Sequence, residues 1–250
     1  LINSFLNSSP FILLNILIAF DFLYVYVSMY TGVVSRIDPS TNTIDKTVAV
    51  GPNPEEMVIV NKSLYVTNSD GNNYNAGYAN GKSVSKISLS DFVEEKKIAV
   101  GLNPTKITAD ALGNVLVLCM GDYSATPATV WKINAEDEAT SMNIPATIMD
   151  IKDNSLYVIN APYGAPSITY TVYNTSSGAV EKENFVSAPV DAPAGIAVHS
   201  DGRIFITSYT LVGGFASYKT PGYVSEYSSD GTFVKKYDVG VGAVSMTFLK

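Results

Sequence analysis

The feature that most constrains this chain is a short strand-like segment that recurs along it. Ser63-Leu64-Tyr65-Val66-Thr67-Asn68 returns as Ser155-Leu156-Tyr157-Val158-Ile159-Asn160, with looser copies at Phe22-Leu23-Tyr24-Val25, Asn114-Val115-Leu116-Val117 and Arg203-Ile204-Phe205-Ile206. Their spacing of roughly 40 to 50 residues is the period of a propeller blade. Each copy is followed by a second alternating segment, such as Ser83-Val84-Ser85-Lys86-Ile87 or Thr129-Val130-Trp131-Lys132-Ile133. Alternation with period two buries one side of a strand and exposes the other. Turn residues, as in Pro39-Ser40-Thr41-Asn42 or Ser229-Asp230-Gly231, lead into a third strand, and a fourth, apolar one starts behind Pro54, Pro104, Pro145 and Pro193. Four short strands per period imply an all-β fold of radially repeated four-stranded sheets, a β-propeller with about five visible blades.

Tyr65-Val66-Thr67-Asn68 spells the motif of the YVTN repeat, and Ile37-Asp38-Pro39 and Val50-Gly51-x-x-Pro54 are also similar to that family. The resemblance covers residues 23 to 249, and the third and fifth copies depart from the motif. It implies a propeller, often exported, of a kind that includes bacterial surface lipoproteins and cobalamin-binding propellers. An extracytoplasmic location, periplasm or cell surface, is thus an expectation from the resemblance alone.

The post-proline strand is the innermost of each blade. The first blade, Leu23 to Val50, lacks one, and Val244-Ser245-Met246-Thr247-Phe248 has no strands after it. Pairing this C-terminal strand with the N-terminal blade is expected to close the ring and remove its open edges. Five blades is fewer than is usual for the resembled family, so a truncated larger ring stays open as an alternative. Domain organisation reads as 1–22, an apolar N-terminal remnant or an export or anchor segment, followed by the propeller over 23–250. The run from Phe11 to Val34 is long enough for a membrane span, but no Lys or Arg precedes Arg36, and Asp21 would lie near mid-membrane.

Strand parity sorts the loops between two faces. Connections from first to second strands are short polar turns, whereas those from second to third strands are long: Asn68 to Lys82, Cys119 to Ala128, Asn160 to Pro166 and Ser208 to Pro221. The long ones share a face with the Gly51-Pro52-Asn53-Pro54 and Gly101-Leu102-Asn103-Pro104 loops. They combine Tyr74, Tyr78, Tyr123, Tyr163, Tyr209, Phe215 and Tyr218 with small residues, the composition of a recognition surface. These seven aromatics, with Asn53 and Asn103, are the candidate ligand-binding residues, set against the plain reading that loop tyrosines pack the loops onto the blades.

Other chemistry is sparse. Sixteen Lys and Arg against 23 Asp and Glu give a net charge of −7, with no basic cluster, which argues against nucleic acid as a partner. His199 is the only histidine and Cys119 the only cysteine, so neither a multi-histidine metal centre nor an intramolecular disulfide can form. His199 reads as a turn residue and Cys119 as a small buried hydrophobe. Asn68, Asp70 and Asn72 resemble part of a calcium loop without its terminal bidentate carboxylate. Glu55 and Glu56 are neighbours on a strand, so they are not expected to converge on one atom and read as solvated or lining the funnel. No cofactor, metal ligand set or catalytic residue is expected. The leading reading is a non-catalytic propeller that captures a small molecule, a cobalamin-like nutrient among them. One alternative is an interaction scaffold docking on an envelope protein. Another is a metal-dependent hydrolase or lyase, for which the inner strands offer only Asp110 and Asp150. Membrane contact is expected only through an N-terminal anchor.

Overall fold

The computed structural model describes residues 17–21, 23–163 and 167–248. Five antiparallel four-stranded sheets follow one another along the chain. Blade one is β1 (Leu17–Phe20), β2 (Val25–Met29), β3 (Val33–Asp38) and β4 (Thr43–Ala49). Blade two is β5 (Pro54–Val60), β6 (Ser63–Asn68), β7 (Ser83–Ser88) and β8 (Glu94–Ala99). Blade three is β9 (Pro104–Ala109), β10 (Val115–Cys119), β11 (Thr129–Ile133) and β12 (Ala139–Pro145). Blade four is β13 (Ile148–Lys152), β14 (Ser155–Asn160), β15 (Thr169–Asn174) and β16 (Val180–Glu183). Blade five is β17 (Pro193–Val198), β18 (Ile204–Ser208), β21 (Tyr223–Tyr227) and β22 (Phe233–Asp238), with a small hairpin of β19 (Leu211–Val212) and β20 (Phe215–Ala216) in its long loop. This is the β-propeller that the repeat predicts. Among the described residues no helix is long and apolar enough to cross a membrane.

Period two explains how blades stack. Every residue of β6 is buried because both of its faces are covered. Leu64 and Val66 join Tyr26 and Val34 of blade one and Ile87 of blade two in one apolar layer, while Tyr65 points the other way into a layer with Ile107, Val115 and Val117 of blade three. Leu116 and Leu118 pack against Met149, Leu156 and Val158, and Ile159 and Tyr170 against Ile196, Ile206 and Tyr223. Each side chain so buried contributes about 1.5–3 kcal/mol. The outermost strands pack on one side at most and carry exposed patterns, as in β16 and β22.

One expectation of the sequence is corrected. The innermost strand of blade one is β1, paired Leu17 with Ser28 through Phe20 with Val25. It fills the place expected for Val244–Phe248, so residues 17 to 20 belong to the first sheet, and residues 1 to 16 lie outside the described residues. Among the described residues Val244–Phe248 pairs in no sheet and lies against blade five. The Val244 carbonyl would sit 2.2 Å from a Cβ on Gly195, and the Phe248 ring is 5.3 Å from Phe205. A pattern of small and β-branched residues shows strand propensity, but a ladder also needs a partner with free backbone groups, and β1 already holds that edge of β2.

Candidate functional site

The long-loop face is held together by the loop that precedes each post-proline strand. Gly51 and Gly101 sit where a side chain would not fit, since a Cβ would fall 2.4 Å from the Asn68 side chain and 2.4 Å from Trp131 Nε1. Two residues on, Asn53 and Asn103 take left-handed backbone, φ 44° and 56°, a region that asparagine tolerates better than most residues. That twist turns their carbonyls toward the neighbouring long loops: Asn53 O accepts from Ser69 N at 3.2 Å and Asn103 O from Met120 N at 2.8 Å. The side chain of Asn53 is buried and bonded at both its nitrogen and its oxygen. Its Nδ2 donates to Tyr30 O and its Oδ1 accepts from Asn72 N, both at 2.9 Å. Asn103 is buried too, its side chain beside the Tyr123 hydroxyl. Both asparagines therefore stand behind the face as clamps that hold its loops.

The aromatic residues are presented outward. Tyr74, on a 3-10 turn over Gly71–Ala76, and Tyr123, Tyr163, Phe215 and Tyr218 are between 64% and 98% exposed. Tyr78 and Tyr123 occupy corresponding loops of blades two and three, both in left-handed backbone (φ 55° and 58°), and their rings meet edge-on at 6.1 Å. Left-handed backbone costs a residue with a Cβ about 1–2 kcal/mol. The surrounding bonds hold it: Tyr78 N donates to Asn73 O, and Gly81 N to Tyr78 O. Tyr209 and Tyr218 form a second edge-on pair at 4.8 Å. The face thus carries two aromatic pairs and three single rings.

Glu55 lies beside the long loop of blade two, its Oε1 3.4 Å from where a Cβ on Gly71 would stand. β5 bulges between Pro54 and Met57, so Glu55 and Glu56 stand outside the regular ladder with β6. The bulge sends them apart, as expected of neighbours on a strand. Glu56 turns to blade three, where Lys106 Nζ lies 2.5 Å from its Oε1. Glu55 turns to blade one, where the Tyr30 hydroxyl donates to its Oε1 at 3.1 Å. Burial raises the Glu55 carboxyl above its ordinary value, against the hydrogen bonds of Ser69 and Tyr30, and the nearby Glu56 charge raises it further. Both carboxylates are partly buried and partnered, closer to funnel-lining than to solvated. Nothing in strand alternation marks Tyr30 or Ser69. The sequence clue to this cluster is the acidic pair Glu55-Glu56 at a place where the other post-proline strands carry Thr105-Lys106, Ala146-Thr147 and Ala194-Gly195.

The remaining candidates have structural work. Asp70 Oδ2 accepts from Asn73 Nδ2 and Asn80 N, and Asn68 Nδ2 donates to the Ser83 and Ser85 hydroxyls, so this loop closes on itself. Asp110 caps the β9–β10 turn through Leu112 N and Asn114 N. Asp150 accepts from Val198 N at 2.7 Å, and burial raises its carboxyl. Among the described residues no three His, Cys, Asp or Glu side chains gather as metal ligands. His199 Nδ1 sits 2.7 Å from Asp201 Oδ1 in its turn, its ring edge-on to Phe248. Cys119 is 1% exposed, and burial pushes its thiol up to about 12. A shallow depression of about 350 Å³, lined by Ile59, Val60, Ala109, Asp110, Leu112 and Gly113, opens on the opposite, short-loop face.

Neither a family model nor a curated protein matches the sequence. Solved structures do resemble the fold. Hydrazine synthase of Kuenenia stuttgartiensis superposes with a TM-score of 0.65 at 17% identity, over 96% of this chain and 70% of that one. A Bacteroides caccae protein of unknown function gives 0.58 at 14%, over 90% and 81%. The dihydro-heme d1 dehydrogenase NirN gives 0.56 at 14%, over 86% of this chain and 44% of that one. At such identities the likeness establishes the β-propeller fold alone.

Proposed function

We propose that this chain is a non-catalytic binding propeller that captures its ligand on the long-loop face. The observation that carries the reading is the set of five aromatic rings presented to solvent there, two of which, Tyr74 and Tyr123, stand on loops whose backbone is tied down by the buried Asn53 and Asn103. A rigid amphipathic ring on a fixed loop contributes contact area at little entropic cost. The motif resemblance to exported YVTN-repeat proteins supports an extracytoplasmic setting, with a small nutrient as the ligand class. The test is thermal denaturation against vitamins, corrinoids, glycans and divalent metals. A ligand at about a hundred times its dissociation constant adds about 2.7 kcal/mol. A rise in melting temperature lost in Tyr74→Ala, Tyr123→Ala and Tyr218→Ala supports capture on this face. A rise that all three variants keep refutes it.

A second reading, docking on an envelope protein, is favoured by the spread of the rings. Tyr163 and Phe215 belong to neither pair and are exposed, as suits a broad contact rather than a closed pocket. It predicts a cross-linked partner from an envelope extract that Tyr163→Ala and Phe215→Ala release.

A further inference from the structure

Among the acidic side chains of the inner strands, Glu55 is the one whose described partners are hydroxyls alone, with no cation to offset its charge. Glu56 has Lys106 at 2.5 Å, and Asp150 has the Val198 N–H together with the field of Lys106. Around Glu55 stand the Tyr30 hydroxyl, the Ser69 hydroxyl and the like charge of Glu56. The Ser69 hydroxyl donates to Asn53 O at 2.9 Å, so its one proton is already engaged. Among the described residues no Lys or Arg pairs with Glu55. A partly buried carboxylate with one firm donor and no cation is costly to keep ionised.

Its position is also specific to one blade. Bulges follow the proline in blades two, three and five, and where blade two places Glu55 and Glu56, blade three leaves Thr105 and blade five Ala194 as the unpaired residue. The fold at that point therefore works with a neutral side chain, and blade two departs from it. Toward the loops, Glu55 Oε1 lies 3.4 Å from where a Cβ on Gly71 would stand, in the turn that carries Tyr74. Burial raises the Tyr123 hydroxyl, with the Tyr78 and Glu55 charges adding to it, and the Tyr78 ring adjoins that of Tyr123. Tyrosine faces attract cations through their quadrupole.

We infer that Glu55 is the counter-ion for an organic ammonium group of the ligand, with the Tyr78–Tyr123 pair forming the aromatic wall of the same subsite. The inference rests on the proposed ligand capture at this face. A single carboxylate among hydroxyls and rings supplies too few oxygen ligands for a divalent metal and suits an alkylated monocation.

The experiment is titration calorimetry of the whole chain with choline and tetramethylammonium, and with 3,3-dimethyl-1-butanol as the uncharged isostere of choline. Both cations are expected to bind, the neutral alcohol at least tenfold more weakly, and Glu55→Gln to weaken the cations at least tenfold. Comparison of the three probes on the unaltered protein stands even where Glu55→Gln fails to fold. Equal binding of the alcohol, unchanged binding to a folded Glu55→Gln variant, or no binding of either cation overturns the counter-ion role. A neutral ligand from the broader panel that depends on Tyr74 and Tyr218 but not on Glu55 also overturns it, while leaving capture at the long-loop face in place. Calcium or magnesium binding that Glu55→Gln abolishes would replace the ammonium by a metal and overturn it as well.

Discussion

Replacing Asn53 by alanine separates a clamp from a ligand contact. The substitution removes two hydrogen bonds, to Tyr30 O and from Asn72 N, each worth about 1 kcal/mol net. It also leaves alanine at φ 44°, where the left-handed region costs a residue with a Cβ about 1–2 kcal/mol, a penalty that asparagine partly escapes. Allowing about 1 kcal/mol for that difference, Asn53→Ala should lower stability by about 3 kcal/mol. Asn53→Gly loses the same two bonds but keeps the backbone at ease, so it should cost about 2 kcal/mol. Urea unfolding followed by circular dichroism and by the fluorescence of Trp131, the single tryptophan, reads both. With a slope of about 3 kcal/mol per molar, the alanine midpoint should fall by about 1 M. A loss below about 0.5 kcal/mol, the range of an ordinary surface change, would refute the clamp. A glycine variant weaker than the alanine one would refute the backbone part of the reasoning.

Other outcomes follow from the same structure. Cys119 should resist a disulfide exchange reagent at pH 8 and react fully once urea unfolds the chain. Because its folded thiol is raised from 9.0 to about 12, its contribution to stability is whole below pH 9 and declines as pH climbs toward 12, visible as a falling urea midpoint. Burial raises the Asp150 carboxyl, so its contribution is whole below the ordinary carboxyl range and falls as pH rises through the folded value. Asp150→Asn should therefore gain in melting temperature over the unaltered protein as pH increases from below the ordinary carboxyl range to neutrality, and a gain that shrinks would contradict this. Asp137, between the Tyr65 hydroxyl at 3.3 Å and Lys86 Nζ at 3.0 Å, ties the turn of blade three to blade two. Asp137→Ala should cost about 2 kcal/mol in urea, between the values for exposed and buried pairs.

Much of this was legible in the chain. Leu64, Val66 and their copies show the larger repeat, because a blade sandwiched between neighbours needs apolar residues on both faces of its second strand. Parity also places the long loops on one side, since antiparallel strands must alternate ends. Parity says nothing of where a loop side chain is spent, which is why Asn53 and Asn103 read as ligand contacts when their left-handed backbone makes them clamps. The N-terminal strand was hidden by its surroundings. Leu17 to Phe20 sits in a longer apolar run, so no alternation marks it off, and only its pairing with β2 defines it. The role of Glu55 was out of reach because alternation separates it from Glu56 without saying which blade each side chain meets, Tyr30 of blade one for Glu55 and Lys106 of blade three for Glu56.

The bulges behind the prolines have a consequence for variation. A residue outside the ladder can be exchanged without breaking a backbone bond or shifting its neighbours to the opposite face. Glu55, Thr105 and Ala194 are thus three interchangeable stations on one scaffold, through which charge, hydroxyl or small apolar character is introduced near the loop face one blade at a time. Selection for a new ligand could act there first, with the stacked sheets left untouched.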